Sequence, residues 1–313
     1  MKILYLILLL CLCICCTKHK QKEVYELQQI CSKVAISSSS FDSLLIIIQK
    51  QPINEQVKYA IQIAERNENK ANTIQKQKDL LMHFLPFASN RERKSILLRV
   101  IELCNKLEVR NTNTIISDIE FNYIHELETN YSLTQEEKWK VKRLKAQLLN
   151  RRGKQEEYLP IWFELLKEHR IANIPQYIVD DLLIIANHLS RLGDYNQAIS
   201  TYEEAYQLII ANQLSYLQNT CLPPLIKLLA DNKNYSKALY YYNDAIKHNK
   251  EIVTISPSIQ NLLVTCYLGL HKPDSARIVL SERLNGKERN SFFLNCKMSE
   301  SYIIEGKEDS AIY

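Results

Sequence analysis

One spacing constrains this chain more than any other. In "RLGDYNQAISTYEEAY", Arg191 to Tyr206, a glycine turn precedes Ala198-x3-Tyr202-x2-Ala205. Before the glycine stands Leu182-x2-Ile185-Ala186-x2-Leu189. The same frame returns as Leu222-x2-Leu225-Ile226-x2-Leu229, then Asn234-Tyr235, then Ala238-x3-Tyr242-x2-Ala245. A third copy runs Leu263-Val264-x2-Tyr267, then Ala276-x3-Leu280, and a fourth Met298-Ser299-x2-Tyr302, Gly306, Ala311. An upstream copy reads Ala146-x2-Leu149, Gly153, Tyr158-x3-Trp162, with Tyr158 in the small-residue position and Pro160 early in its second helix. Alanines 198, 238, 276 and 311 step by 40, 38 and 35 residues. Apolar residues three and four apart, broken by a turn and begun again, describe antiparallel helix hairpins. Ala186 and Ala198 admit a close helix contact, and Leu182, Leu189 and Tyr202 fill the space around it. Gly153, Gly193 and Gly306 share one frame position, where a helix ends with positive φ. Gly269 and Gly286 also fall at expected helix ends, so every glycine is read as marking a turn.

These copies resemble the tetratricopeptide repeat, whose pattern W-x2-L-G-x2-Y, then A-x3-F, they follow over roughly residues 139–313. The family period is ~34 residues, so "IANQLS", "NKEIVTISPS" and "LNGKERN" are expected to supply extra residues between repeats. The resemblance implies an all-α tetratricopeptide-type helical-hairpin solenoid, a right-handed superhelix. Residues 41–138 are read as degenerate helical repeats continuing it. There "FDSLLIIIQK", "NEQVKYAIQIAERN", "QKDLLMHFLPFA" and "RERKSILLRVIELCNKL" carry helical spacing, as does "EVYELQQICSKVAI" further upstream. "ISSSS" at 36–40 is a loop or cap cluster.

The N-terminus, "MKILYLILLLCLCICCTKHK", has a basic Lys2 and an apolar run from Ile3 to Cys16. Fourteen residues are too few for a span of ~20 and fit the ~7–15-residue core of a secretory signal. A cysteine closing such a run resembles a bacterial lipoprotein signal, in which that cysteine is acylated (a palmitate-type anchor). Cys16 is the expected lipidation site and Cys15 the alternative, since Cys13-Ile14-Cys15 departs from the usual residues before the cysteine. An ordinary cleaved signal and an uncleaved anchor are the other readings. The organisation is therefore signal 1–16, linker and first helix 17–40, degenerate repeats 41–138 and repeat array 139–313.

Chemistry-bearing motifs are missing from this sequence. It has no phosphate-binding glycine loop, no H-E-x-x-H and no G-x-S-x-G. Cys13-x-x-Cys16 lies inside the apolar run and is not read as redox-active. Cys31, Cys104, Cys221, Cys266 and Cys296 lack metal-ligand spacing; Cys266 and Cys296 are the pair to test for a disulfide. His188 and His248 are read as surface or satisfied histidines, and Glu203-Glu204 as a solvated face. In Tyr240-Tyr241-Tyr242, Tyr242 takes the large-residue position. No enzyme, metal or cofactor is expected. The net charge of +5 comes from 40 basic and 35 acidic residues spread along the chain, without the basic patch that nucleic-acid binding needs.

Arrays of this type act by binding, with the first helix of each hairpin lining the concave face. In the family frame the exposed positions are Lys140, Arg143, Gln147, Asn150 and Arg151, then Asn187 and Arg191, then Lys227, then Asn261 and Thr265. Asn187 matches an asparagine common in peptide-binding members. Pro224 stands where a second asparagine would complete a carboxylate clamp, so capture of a free C-terminus is not expected. The basic strip from Lys140 to Arg191 would prefer an acidic or extended segment.

The expected function is that of an envelope-anchored scaffold binding proteins or peptides, tied to the membrane by lipid and facing the periplasm or the cell surface. A lipoprotein-like signal followed by divergent repeats is similar to envelope proteins of Bacteroidetes. That likeness gives the alternative: the periplasmic sensor portion of a longer membrane-bound transcriptional regulator or histidine kinase. Tyr313 falls two residues after Ala311, where the fourth second helix has barely begun. A longer natural chain is the expectation.

Overall fold

A computed structural model describes residues 46, 48–65, 71–108, 118–248, 257–284 and 292–311. "EVYELQQICSKVAI", "ISSSS", Gly286 and the N-terminal apolar run with Cys15 and Cys16 lie outside these residues. The chain divides into two compact units, Met1–Tyr158 and Leu159–Tyr313.

In the first unit the helices are α1 (Ile53–Ala64), α2 (Ala71–Phe84), α3 (Asn90–Glu108), α4 (Ile119–Asn130) and α5 (Gln135–Arg151). Local sequence fixes their boundaries. Pro86 sits in a single 3-10 turn, Leu85–Phe87, that ends α2. The Ser89 N–H then donates to the Glu92 carboxylate at 3.0 Å, starting α3. Thr134 and Glu137 form a capping box at α5: the Glu137 N–H donates to the Thr134 hydroxyl, and the Thr134 N–H to the Glu137 carboxylate. Each such cap satisfies N–H groups that a helix start leaves open. One continuous core joins all five helices, with Ile63, Leu81, Ile96, Leu97, Ile101 and Leu127 among its members. Helix α4 has no counterpart in the sequence reading. It buries only Glu120, Ile124 and Leu127, so its apolar stripe is too thin to stand out.

The division falls inside α6 (Gln155–Ala172). The second unit continues with α7 (Pro175–Arg191), α8 (Tyr195–Ala211), α9 (Gln218–Asp231), α10 (Tyr235–His248), α11 (Pro257–Gly269), α12 (Pro273–Leu284), α13 (Phe292–Ile304) and the short α14 (Glu308–Ala311). The alanines of the frame sit where helices touch: Ala186, Ala198, Ala205, Ala238, Ala245 and Ala276 are all 0% exposed. Among the described residues there is no strand, and the fold is a helical-hairpin solenoid of tetratricopeptide type.

Helix ends keep a strict rhythm. Gly153, Asn173, Gly193, Gln213 and Lys233 all have positive φ, each 20 residues after the last, and His271 and Gly306 do the same further on. At every one, that residue's N–H bonds the carbonyl three back, and the next N–H bonds the carbonyl five back, as in Gly193 to Ser190 and Asp194 to Leu189. This double closure satisfies carbonyls that would otherwise be open. Asp194 then serves the following helix, its carboxylate accepting from the Gln197 N–H at 3.2 Å.

Gly269 ends α11, as expected, and the left-handed residue after it is His271; a side chain at 269 would come within 2.3 Å of the Tyr235 ring. Three sequence expectations change here. From α5 to α8 the extra residues go into helix length, 17 or 18 residues each, and α8 absorbs the start of "IANQLS", while most of "NKEIVTISPS" and of "LNGKERN" lies outside the described residues. On α10 the buried tyrosine is Tyr241, at 5% exposure, while Tyr242 is half-buried. Tyr241 stacks edge-on against Tyr206, whose hydroxyl donates to Asp244 at 2.9 Å. Finally, Cys266 and Cys296 are both free, the first buried and the second exposed, because α11 turns its cysteine into the core and α13 turns its own outward.

Candidate functional site

The expected binding residues divide between the units. Lys140, Arg143, Gln147 and Arg151 belong to the first, and Asn187, Arg191, Lys227 and Asn261 to the second.

In the first unit they meet a second helix. Lys140, Leu144, Gln147 and Arg151 are spaced by four, three and four, so they form one stripe along α5. Arg99, Glu102 and Lys106 form a stripe along α3 by the same rule. The two stripes enclose a groove of about 580 Å³, floored by Leu144 and lined by Asn105, Gln147, Asn150 and Arg151 as well as the α3 residues. A second hollow of about 330 Å³ shares Arg99 and Glu102 and reaches Lys140, with Ile61, Leu81 and Leu98 on its apolar side.

Glu102 is the hub of the charges. Arg99 bonds it at 2.9 Å and Lys140 at 2.5 Å. Arg99 also donates to the Ala64 carbonyl, which ties α3 to the end of α1. Deeper in, the Asn105 amide donates to the Gln147 side-chain oxygen. Arg151 donates to the Asn105 main-chain carbonyl at 2.7 Å. That carbonyl is in the last turn of α3, where a cation suits the negative helix end. Asn105 is 8% exposed, and its side-chain oxygen is buried and accepts no hydrogen bond. Across both hollows the cations are Arg99, Lys106, Lys140 and Arg151 and the anions Glu65 and Glu102, four against two. Arg143 is half-buried on α5 outside this lining. The α3 half of the groove was absent from the sequence reading. Its helical stripe was visible, but no repeat frame said which way the stripe faces.

In the second unit Asn187 and Arg191 are exposed one turn apart on α7. Lys227 is exposed on α9 and pairs with Asp231 at 2.5 Å. Asn261 and Thr265 are half-buried on α11, the Thr265 hydroxyl donating to the Asn261 carbonyl at 3.1 Å. His188, beside Asn187, is buried. Burial first, and the Arg191 charge second, hold its pKa below the ordinary histidine value.

Among the described residues, one acid–base contact is fully buried. His169 Nδ1 stands 2.5 Å from Asp181, both side chains 0% exposed, with the Tyr177 ring 5.0 Å from the imidazole. No substrate reaches a pair so enclosed. His169 occupies the place taken by Leu149, Leu189, Ile209, Leu229, Tyr267 and Tyr302 at the other described helix ends of this kind, five residues before the closing N–H. Among the described residues, no group of three or more His, Cys, Asp or Glu is placed to hold a metal ion. No helix among them is long and apolar enough to cross a membrane.

The chain matches no protein-family profile and no curated protein by sequence. Its structure resembles several solved ones. One is the Signal Transduction ATPase with Numerous Domains protein with a tetratricopeptide repeat sensor from Pyrococcus horikoshii, at TM-score 0.61 and 15% identity over 88% of this chain. This chain spans 42% of that protein's length. Another is aspartyl phosphate phosphatase F from Bacillus subtilis, at TM-score 0.57 and 14% identity over 93% of this chain and 77% of that one. A third is a Rap protein complexed with Competence and Sporulation Factor, at TM-score 0.51 and 16% identity over 88% of this chain and 79% of that one. At such identities the likeness establishes the fold.

Proposed function

We propose that this chain is a binding scaffold for proteins or peptide segments, without catalytic activity of its own, held at the bacterial cell envelope by acylation of Cys16. The observation that carries the binding reading is the α3–α5 groove. Lys140, Gln147 and Arg151, expected from the repeat frame, line it together with Arg99, Glu102 and Asn105. Its hollows have the size of a ligand site, ~300–1,000 Å³. It offers carboxamides for main-chain groups and an apolar floor. Asn187, Arg191, Lys227 and Asn261 would extend the contact surface in the second unit. In the Rap protein a fold of this kind is complexed with Competence and Sporulation Factor.

Anchoring rests on the apolar run ending at Cys16 and the basic residues after it. Acyl chains add about 0.8 kcal/mol per buried CH₂, so more than one chain gives a stable anchor. The remaining organisation follows: a linker through residue 40, degenerate repeats to 138, then the array. A sensor role within a longer membrane-bound regulator is the second reading. It is favoured by the Pyrococcus horikoshii protein, whose repeats are described as a sensor within a much longer chain.

Two experiments test this. Binders selected from a random peptide library are expected to lose affinity for the Gln147→Ala/Asn150→Ala variant. A selection that yields no binders, or binders indifferent to both changes, contradicts the groove. Cys16→Ser is expected to move the protein from the membrane to the soluble fraction on cell fractionation. If it stays with the membrane, the lipid anchor is wrong.

A further inference from the structure

We infer that the α3–α5 groove is selective for an acidic, extended peptide segment of about five residues. This rests on the peptide-binding reading above and names its substrate class.

Length comes from helix geometry. Lys140 and Arg151 are 11 residues apart on α5, about 16 Å at ~1.5 Å per residue. A strand-like peptide covers that in about five residues at ~3.3 Å each. Charge comes from the lining. Four cations face two carboxylates, and one of those, Glu102, already bonds both Arg99 and Lys140. The surplus is positive, so a carboxylate-bearing ligand is drawn in and a lysine-bearing one is repelled. Peptide character comes from the amides. The Asn105 amide already donates to the Gln147 oxygen, which leaves the Gln147 amide as a donor and Asn150 as both donor and acceptor, the pairing that a peptide group needs. Nucleic acid fits worse: no aromatic side chain lines either hollow to stack a base.

The test uses the full chain in non-ionic detergent and fluorescence anisotropy with defined probes. These are a capped five-residue peptide alternating glutamate with alanine, its glutamine and lysine counterparts, and a short oligothymidylate of equal negative charge. The glutamate peptide is expected to bind roughly tenfold more tightly than the glutamine peptide and to weaken with added salt. The lysine peptide is expected not to bind. Lys106→Gln/Lys140→Gln, its fold checked by circular dichroism, should bring glutamate binding to within about threefold of glutamine binding. Lys106→Gln alone gives a partial loss if the double variant is unstable. Lys167→Gln, on α6 outside the groove, should change nothing. Equal binding of the glutamate and glutamine peptides overturns the acidic preference and leaves the peptide-binding reading standing. Failure of all three peptides removes both. Oligothymidylate binding as tightly as the glutamate peptide overturns the inference in favour of a general polyanion site.

Discussion

Among the described residues seven helix ends close in the same way, three with glycine and four without. At Gly153, Gly193 and Gly306 the left-handed residue carries no side chain, while Asn173, Gln213, Lys233 and His271 carry one at φ between 52° and 58°. A left-handed L-residue costs roughly 1–2 kcal/mol, less for asparagine. Lys233 and Gln213 are exposed, so their side chains return little packing. Lys233→Gly and Gln213→Gly are each expected to raise stability by about 0.5–1 kcal/mol in urea unfolding. Gly193→Ala should lower it by about 1 kcal/mol. Its added methyl meets no atom within 4 Å, so the loss is purely conformational. Equal stability of Gly193→Ala and the parent would contradict this account. The glycine positions were legible in the sequence because glycine advertises positive φ. The other four were not, because their side chains say nothing about backbone hand.

Among the elements, α6 and α7 are joined by an unusual contact. Where the other described ends of this kind place leucine, isoleucine or tyrosine, α6 places His169 and buries it against Asp181 of α7. A buried acid–base pair is a weak source of net stability, but breaking it strands one partner. His169→Ala is expected to destabilise the second unit by about 3–5 kcal/mol, and His169→Leu/Asp181→Leu to recover most of that loss. If the double variant is no better than the single, the pair is not the reason for the loss. From sequence, His169 and Asp181 stood 12 positions apart with no motif to link them. Helix α4 was missed because one of its three buried side chains is Glu120, which leaves only Ile124 and Leu127 as an apolar signal. The hairpins from α7 to α10 were legible throughout, because alanine, leucine and tyrosine recur in a register that only helix packing explains. Of the groove, the α5 stripe was legible and the α3 stripe was not.

Over the second unit as a whole, buried cysteines and tyrosines are held in neutral form. Burial pushes Cys221 up to about 12 and Cys266 up to about 11. Tyr202 is pushed up to about 12 by burial and then the neighbouring Cys221. Tyr206 and Tyr241 are raised further, by burial and by the carboxylates of Asp244 and Glu203 respectively. Unfolding returns these groups to ordinary thiol and phenol values of about 8.5 and 10. The unfolded chain then releases protons that the folded chain retains, so the stabilisation is complete below pH ~8.5 and is lost as pH rises through the folded values. Unfolding free energy should be flat near neutrality and fall steadily above about pH 9. Tyr202→Phe should make the fall above about pH 10 shallower. On the acid side, His188 is held neutral, so its share of stability is lost as pH drops below ~6.5.

Function is most directly tested by where binding protects the backbone. Hydrogen exchange of the full chain, with and without the alternating glutamate peptide, reads every helix at once. The α3–α5 groove predicts slowed exchange in residues 99–106 and 140–151 and no change along α7, α9 and α11. No protection at 99–106 and 140–151, or protection confined to the α7–α11 face around Asn187, Lys227 and Asn261, would contradict it.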